Sequence, residues 1–543
     1  MANGIVRVPE PVNEPIGSFA PGSAEKASLK KKLDEMLAEQ IEIPVIIGGK
    51  EIRTGKTTEA VCPHDHSHVL ATVHQAGEKE VARAVEAAQK AWAEWSAMDW
   101  EARAAVFLKA ADLLAGPWRD TLNAATMLNQ SKTVFQAEID AACEIVDFWR
   151  FNPHYMRRLY TEQPGSAPGI WDYVEYRALE GFIFAVSPFN FTSIAANLPT
   201  APALMGGVVL WKPASTSLYS NYFIMKLLEE AGLPPGVINF LPGRGAQVGD
   251  PVMARPELSG IHFTGSTGTF QRLWRQVGEN IANYYTYPRI VGETGGKDFV
   301  FAHRSADIPA LVTALVRGAF EYQGQKCSAA SRAYIPKSIW PEVRDRLVTE
   351  VRKIKMGPPT DFRNFMCAMI DESAYDNATD YINYARSSSQ FEIIAGGKGS
   401  KKQGYFLRPT VVVSKQAKSK LMSEEIFAPI LTIKVYADNR FKDTLALCDT
   451  GSPYALTGAI FARDRRIIAA MTQALRHSAG NFYINDKPTG AVVGQQPFGG
   501  SRASGTNDKA GSMINLLRWT SVRSLKENFV PPTEIAYPHM GEE

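Results

Sequence analysis

The sequence predicts an α/β protein, because short apolar strands alternate with helical segments along most of the chain. This alternation begins near Glu180, and a second alternating unit begins near Asp298, so two parallel sheets are expected. A chain of 543 residues is also too long to fold around one core. We therefore predict two or more domains.

The composition excludes several functional classes. With 45% hydrophobic and 21% charged residues and a net charge of +3, the chain reads as soluble and globular, with no nucleic-acid or membrane partner. The five cysteines are widely spaced and odd in number, which favours a reducing compartment. Residues up to Pro21 lack the character of a secretory or transit peptide, so the cytoplasm is the expected compartment.

The first 44 residues are predicted to form an irregular arm and an amphipathic helix from Ser23 to Gln40. Further on, Cys62, His64, His66 and His68 stand at every second position and could present metal ligands on one side of a strand. Metal sites draw ligands from converging elements, and nothing else supplies any here. We therefore interpret this stretch as a solvated connection between strands and predict no metal.

Helices and then a parallel sheet are predicted up to about residue 297. Gln163 to Gly169 breaks the helical pattern, and Asp172 to Arg177 alternates like a strand. Asn190, Lys212 and Ser266 each fall at or just past the carboxyl end of a predicted strand, where ligands bind in such sheets. The predicted helices and strands are Gly77 to Trp95, Ala102 to Leu114, Ala137 to Trp149, Gly181 to Ser187, Val208 to Lys212, Val237 to Leu241 and Gly260 to Thr264.

Three separate windows carry candidate chemistry. Cys327 stands among small and polar residues, and the neighbouring Lys326 is expected to favour its thiolate. Glu293 ends a strand before a Gly-Gly turn, and Asn190 follows another strand. Taken one at a time, each residue also has a purely structural interpretation: Cys327 as a core cysteine, Glu293 as a solvated carboxylate and Asn190 as a turn residue. Together, a nucleophile, a carboxylate base and an amide donor are the parts needed for covalent chemistry on a carbonyl.

These three windows resemble the aldehyde dehydrogenase superfamily, and the resemblance runs over nearly the whole chain. Within it, Phe320 to Arg332, Ala479 to Lys487 and Val493 to Asp508 are similar to the subfamily that oxidises L-glutamate gamma-semialdehyde. The resemblance implies an NAD-dependent enzyme of proline catabolism. In this reading Cys327 attacks the aldehyde, Asn190 and the Cys327 backbone N–H stabilise the oxyanion, and Glu293 activates the water that hydrolyses the thioester.

The resemblance also implies the domain plan. A Rossmann-like NAD-binding domain comprises residues 45–162 and 181–297, with a return segment at 487–510, and an α/β catalytic domain comprises 298–486. Residues 1–44 form the arm and first helix, while 163–180 and 511–543 form a small β oligomerisation flap and tail. A homodimer or larger homo-oligomer is expected, because its formation covers the exposed strand edge of the flap.

The cofactor residues implied by the family include a glycine-containing turn. The usual G-x-G-x-x-G fingerprint is absent, and Gly243-Arg-Gly245-Ala-Gln-Val-Gly249 misses it by one residue. Phe270 stands where the family often has a second glycine, and Ser215 where many NAD-specific relatives have Glu. NAD is therefore expected without excluding NADP. The implied contacts are Ser187, Lys212, Gly265, Ser266, Thr267, Gly268, Thr269, Glu425 and Phe427.

The implied substrate residues surround an anchor loop, Thr489 to Val493, whose backbone N–H groups bind the substrate's alpha-carboxylate. The hydroxyl of Ser328 assists, the rings of Phe191 and Phe498 flank the aliphatic chain, and Glu144 resembles a residue that pairs with Lys326. The implied set is Ser328, Gly490, Ala491, Phe191, Phe498, Lys326 and Glu144.

Other functions remain open at this point. Another short semialdehyde, such as succinate semialdehyde, would use the same chemistry and differ at the anchor loop. A reductive acyl-phosphate or acyl-CoA enzyme with this fold should lack Glu293, because it needs no base for thioester hydrolysis. A non-catalytic protein with this fold should not keep Asn190, Glu293 and Cys327 together. Pathway logic makes proline dehydrogenase a possible partner, and a eukaryotic source would place the protein in the mitochondrial matrix.

Overall fold

The computed structural model describes residues 4–416 and 418–541. The ends of the predicted arm and tail, residues 1–3 and 542–543, lie outside the described residues. Up to residue 297 the helices and strands are α1 (Ala24–Leu37), β1 (Ile41–Ile43), β2 (Val45–Ile47), β3 (Lys50–Ile52), β4 (Thr57–Cys62), β5 (Asp65–His74), α2 (Glu78–Trp95), α3 (Trp100–Ala115), α4 (Arg119–Gln130), α5 (Val134–Ala137), α6 (Ile145–Tyr160), β6 (Ile170–Ala178), β7 (Phe182–Val186), α7 (Thr192–Leu204), β8 (Val208–Lys212), α8 (Leu218–Ala231), β9 (Ile238–Phe240), α9 (Gly245–Met253), β10 (Leu258–Thr264), α10 (Thr267–Glu279) and β11 (Arg289–Glu293).

The first sheet has the strand order β11-β10-β7-β8-β9-β2-β3. The strands from β11 to β9 run parallel, while β2 is antiparallel to both β9 and β3. Strands β7, β8 and β10 are apolar along most of their length and are buried throughout except for Val186, because helices such as α2 and α7 pack against the sheet. The parallel arrangement brings the carboxyl ends of these strands to one edge.

The second sheet has the order β14-β17-β18-β13-β12-β20-β21, with only β14 antiparallel to its neighbour. It starts at residue 298, where the sequence predicts a second alternating unit. The elements of this region are β12 (Asp298–Ala302), α11 (Ile308–Phe320), β13 (Ala330–Pro336), α12 (Trp340–Lys353), α13 (Glu372–Arg386), β14 (Phe391–Ala395), β15 (Gly399–Ser400), β16 (Phe406–Leu407), β17 (Thr410–Ser414), α14 (Lys420–Ser423), β18 (Ile430–Tyr436), α15 (Phe441–Thr450), β19 (Tyr454–Ala455), β20 (Thr457–Phe461), α16 (Arg465–Ala474) and β21 (Asn481–Ile484).

The last part of the chain contains β22 (Ser501–Arg502), α17 (Met513–Leu517) and β23 (Thr520–Asn528). Strand β22 pairs with β19 as a separate two-stranded sheet. The return segment touches both large sheets, because Gly505 bridges Glu293 at the end of β11 and the Gly499 N–H donates to the Asn481 side chain of β21 at 3.0 Å. Strands β6 and β23 pair antiparallel as a two-stranded ribbon that leaves Trp171 and Val522 largely exposed. Such a ribbon is marginally stable alone, which supports the proposal that a second copy of the chain covers it.

The Cys-His stretch differs from its prediction. Only Pro63 and His64 connect β4 and β5, because Cys62 ends β4 and both His66 and His68 lie within β5. Cys62 and His64 are buried instead of solvated. Burial raises the pKa of Cys62 to about 12 and lowers that of His64 to about 4. Across residues 4–416 and 418–541, no group of three or more metal-ligating side chains converges. In the same residues, no helix is long and apolar enough to span a membrane.

The helix predicted from Ala137 to Trp149 is also irregular. Residues Glu138–Glu144 form a π-helical turn that leads into α6. The wider turn places the Asp140 carboxylate against α7, where it accepts the backbone N–H groups of Thr192 and Ser193, each at 2.9 Å. Asp140 thereby fixes the first turn of the helix that follows Asn190.

Candidate active site

A cavity of about 500 Å³ opens at the carboxyl ends of β7, β8 and β10. It brings the strand ends of the first sheet together with Cys327, Glu425 and Phe427 from loops of the second alternating unit, as expected for a ligand site at the edge of an open parallel sheet. Thr267 and Gly268, which the sequence also predicts as cofactor contacts, lie in the first turn of α10 and outside the cavity wall. The predicted residues in its wall are Ser187, Asn190, Lys212, Gly265, Ser266, Thr269, Cys327, Glu425 and Phe427.

The turn before α10 is built to receive an anion. The Ser266 hydroxyl accepts the backbone N–H of Thr269 at 3.3 Å and so caps the helix. The remaining N–H groups of the first turn and the helix dipole attract negative charge such as phosphate. A Cβ atom added at Gly268 would meet no atom within 4 Å, so nothing crowds this turn.

Phe270 does not block this turn, although the family often has a glycine there. Its ring stacks on Phe263 at 5.4 Å between centroids and covers Gly292. A Cβ atom at Gly292 would lie 2.2 Å from the Phe270 ring, so the bulky residue at 270 requires the glycine at 292. Phe270 therefore packs into the protein interior.

Lys212 and Ser187 are held at the strand ends by short contacts. The Lys212 ammonium donates to the carbonyl of Pro213 at 3.0 Å, and burial lowers its pKa to about 8. The indole N–H of Trp211 donates to the Ser187 hydroxyl at 3.0 Å. Ser215 also lines the cavity and adds no negative charge there, so a 2′-phosphate would meet no carboxylate at this position.

Glu425 and Phe427 form the end of the cavity nearest Cys327. The Glu425 carboxylate accepts the Gly296 N–H at 2.8 Å, and a Cβ atom at Gly295 would lie 2.2 Å from it. The Gly-Gly turn is thus what lets this carboxylate reach the site. Burial raises the pKa of Glu425 to about 7. Phe427 has φ of 60° and packs edge-on against Phe189 at 5.8 Å.

The turn that precedes Cys327 is strained. Tyr322, Gln323 and Gly324 all have left-handed φ angles, of 50°, 56° and 65°. The Gln323 side chain stabilises this turn, since its amide donates to the carbonyls of Ser131 and Ala368 at 3.1 and 2.7 Å. Its oxygen also accepts the N–H of Cys367 at 3.0 Å.

The environment of Cys327 favours the thiol in the free protein. Burial raises the pKa of Cys327 well above its usual value, and the carboxylates of Asp298, Glu425 and Glu293 raise it further. Lys326 instead forms a buried ion pair with Glu321 at 3.2 Å. The prediction that Lys326 makes the thiolate the favoured form is therefore wrong for the free protein.

Asn190 lines the cavity with Cys327, whereas Glu293 does not. The Asn190 amide donates to the carbonyl of Gln325 at 3.1 Å and is buried beside the cysteine turn. The Glu293 carboxylate accepts the Gly500 N–H at 3.3 Å and does not line the cavity. Burial raises the pKa of Glu293 well above its usual value, and the nearby Lys509 opposes that shift.

Of the predicted substrate residues outside the cavity wall, Ser328 directly contacts the anchor loop. The hydroxyls of Ser328 and Thr489 are 2.8 Å apart, which joins the cysteine turn to the anchor loop. Gly490 adopts φ of 100°, and Ala491 beside it is half-buried. Phe498 pairs through its backbone with Ala510.

Phe191 and Glu144 have partners other than the anchor loop. The Lys132 ammonium lies 4.5 Å from the centroid of the Phe191 ring and 2.5 Å from the Asp140 carboxylate. Glu144 accepts the Ser193 hydroxyl at 3.0 Å, and burial raises its pKa to about 8. Because Lys326 pairs with Glu321, the predicted pair between Glu144 and Lys326 is wrong.

Sequence reasoning missed several residues of the cavity wall. Gly245 and Gly249 line it at the start of α9, and their near match to a dinucleotide fingerprint was the available signal. Arg272 and Thr294 also line it. Gln323 carried no signal at all, because its partners lie far away in sequence.

The chain belongs to the aldehyde dehydrogenase family, whose model matches residues 51–525. This confirms the predicted fold. The chain is 53% identical over 536 residues to the mitochondrial delta-1-pyrroline-5-carboxylate dehydrogenase of Dictyostelium discoideum, covering 98% of this chain and 96% of the relative. It is 47% identical to the human mitochondrial enzyme of that name, covering 97% and 94%. The crystal structure of the Mycobacterium tuberculosis delta-pyrroline-5-carboxylate dehydrogenase bound with NAD superposes with a TM-score of 0.97 at 52% identity, covering 100% of both chains.

Proposed function

We propose that the protein oxidises L-glutamate gamma-semialdehyde to L-glutamate with NAD as the electron acceptor. The observation that carries this proposal is that Cys327 and Asn190 line the same cavity as the turn that opens α10, whose backbone N–H groups suit a phosphate. An aldehyde beside the sulfur would thus lie next to the nicotinamide end of a dinucleotide. The similarity to delta-1-pyrroline-5-carboxylate dehydrogenases over almost the full chain supports the substrate.

In the first step the Cys327 thiol gives its proton to solvent water, and the resulting thiolate adds to the aldehyde carbon. The carbon–sulfur bond forms as the carbonyl π electrons move to oxygen, giving an alkoxide. The Asn190 amide and the Cys327 backbone N–H are the donors that stabilise that charge. Because Asn190 donates to the Gln325 carbonyl in the free protein, its amide already points toward the cysteine turn.

NAD, when bound, supplies the hydride acceptor. The protein groups fit such a cofactor: the first turn of α10 for phosphate, Lys212 for the adenosine ribose and Glu425 for the nicotinamide ribose. Ser215 places no negative charge where the 2′-phosphate of NADP would lie, so NADP is a second candidate acceptor. Loss of hydride from the alkoxide leaves a thioester on Cys327.

Glu293 would act in the second half of the reaction. Its carboxylate takes a proton from water, the oxygen attacks the thioester carbon, and the Cys327 sulfur leaves. The raised pKa of Glu293 makes it a stronger base than an exposed glutamate. In this structure the Glu293 carboxylate accepts the Gly500 N–H, so this role requires the side chain to turn toward Cys327.

The anchor loop would hold the substrate's alpha-carboxylate through the backbone N–H groups of Gly490 and Ala491. Ser328 is hydrogen-bonded to Thr489 and so stands within reach of the same carboxylate. Phe191 and Phe498 would border the aliphatic chain. A homo-oligomer through the β6–β23 ribbon, a cytoplasmic location and a proline dehydrogenase partner remain predictions.

The test is the rate of NAD reduction with L-glutamate gamma-semialdehyde against succinate semialdehyde. We expect kcat/KM to be at least tenfold higher for the glutamate compound. Cys327→Ala should remove activity with both aldehydes. Equal or reversed preference would contradict the assigned substrate, and residual turnover by Cys327→Ala would contradict the assigned nucleophile.

A further inference from the structure

The N-terminal arm reaches the anchor loop through one side chain, Asn13. Its amide nitrogen donates to the carbonyl of Val493 at 2.7 Å and to the Asp147 carboxylate at 2.8 Å. Its amide oxygen accepts the side-chain N–H of Gln495 at 3.0 Å. Asn13 thus binds the last residue of the anchor loop, Val493, and the side chain of Gln495 two positions beyond it, while its bond to Asp147 fixes it to α6.

The arm around Asn13 is firmly held. The Glu14 backbone N–H donates to the second oxygen of Asp147 at 2.7 Å. The Glu14 carboxylate pairs with Arg119 at 2.6 Å and with Arg150 at 2.8 Å. Arg119 also pairs with the fully buried Glu138. Partly buried, hydrogen-bonded ion pairs of this kind order a segment more than exposed pairs do.

At its other end the loop is held by Thr489, whose carbonyl accepts the Lys487 ammonium at 2.9 Å and whose hydroxyl contacts Ser328. Gly494 adopts φ of 83°, and a Cβ atom there would lie 2.1 Å from the Phe151 ring, so the loop passes closely over α6. Val493 is buried, while Gly490 and Val492 are exposed. The Ser328–Thr489 contact holds one end of the loop and Asn13 holds the other.

We infer that Asn13 is a positioning residue for substrate recognition: it fixes the carboxyl end of the anchor loop, and thereby the backbone N–H groups that receive the substrate's carboxylate. This inference rests on the proposed function, in which that loop binds the alpha-carboxylate. The Asn13 side chain does not line the cavity that contains Cys327 and acts through Val493 and Gln495. Its effect should therefore depend on whether the aldehyde carries a carboxylate.

The experiment compares Asn13→Ala with the wild-type protein on two aldehydes, L-glutamate gamma-semialdehyde and propanal. We expect KM for the carboxylated aldehyde to rise about tenfold, the loss of roughly one charge-assisted hydrogen bond to the substrate. The KM for propanal, the KM for NAD and both kcat values should change less than twofold. Ser18→Ala, which removes an arm hydroxyl bonded to Glu25 and not to the loop, is the matched control and should change nothing.

Gln495→Ala is a second variant that breaks only the loop side of the contact. It should raise KM for the carboxylated aldehyde two- to threefold, and it keeps the test decisive if Asn13→Ala does not fold. Unchanged KM in both variants, or an equal rise for both aldehydes, would overturn the inference. A wild-type protein with no preference between the two aldehydes would instead refute the proposed function, and the inference would fail with it.

Discussion

The cofactor side and the substrate side of the site are held in different ways. On the cofactor side, Ser187, Lys212 and Gly265 stand directly at the ends of adjacent parallel strands, so the sheet itself sets their positions. On the substrate side, the cysteine turn and the anchor loop are 161 positions apart at their Ser328–Thr489 contact. They are held by side-chain hydrogen bonds. The substrate side can therefore change by point substitution while the sheet stays intact.

Asn190→Ala tests this difference most severely, because Asn190 lies where the two sides meet. We expect kcat to fall about 100- to 1,000-fold, since one oxyanion donor is lost. The affinity for NAD should stay within twofold, because the strand-end residues are untouched. Steady-state kinetics and NAD titration by tryptophan fluorescence measure the two quantities. A fall in kcat below threefold would exclude Asn190 as an oxyanion donor.

Gln323→Ala should show that side chains hold the substrate side. The change leaves the Cys367 N–H and the carbonyls of Ser131 and Ala368 without their partner, at about 1–3 kcal/mol for a buried unpaired group. We expect kcat to fall about 10- to 100-fold as Cys327 loses its position. NAD affinity should be retained.

The control for that variant is Gln390→Ala, in the turn before β14 and away from the site. It should keep full activity. If Gln323→Ala lowers the melting temperature but leaves kcat unchanged, the amide stabilises the fold without positioning the cysteine.

The pH dependence of thiol alkylation should report the charge around Cys327. Because burial and three carboxylates raise the pKa of this thiol, the thiolate fraction at neutral pH is smaller than in a free cysteine. The rate of inactivation of the cofactor-free protein by iodoacetamide should rise about tenfold per pH unit between pH 7 and 9. A rate that is already constant from pH 7 upward would mean that the thiolate is favoured after all. Cys327→Ala corrects for reaction at the other cysteines.

The features that the sequence predicts correctly are the strands and turns, because each depends on a pattern of neighbouring residues. Strand-and-turn patterns place Asn190, Lys212 and Ser266 at one sheet edge because parallel strands bring their carboxyl ends together. The partners of Asn13 and Gln323 could not be predicted in this way. Asn13 meets Val493 across 480 positions, and local spacing says nothing about such pairs.

The prediction that Lys326 favours the Cys327 thiolate assumed that sequence neighbours contact each other. A lysine beside a cysteine in sequence need not face it, and here the ammonium turns to Glu321. The burial of His64 was missed because alternation along a strand does not show which neighbouring segment covers it. In this structure residues 403–405 lie over the connection between β4 and β5.

The most direct test of the whole account is a single-turnover measurement on Glu293→Gln mixed with NAD and L-glutamate gamma-semialdehyde. The account predicts a burst of about one equivalent of NADH followed by a stall, because oxidation proceeds while the thioester is not hydrolysed. Intact mass spectrometry should find the acyl group on Cys327. Steady turnover at the wild-type rate, or a stalled protein without an acyl adduct on Cys327, would contradict the assigned roles of Glu293 and Cys327.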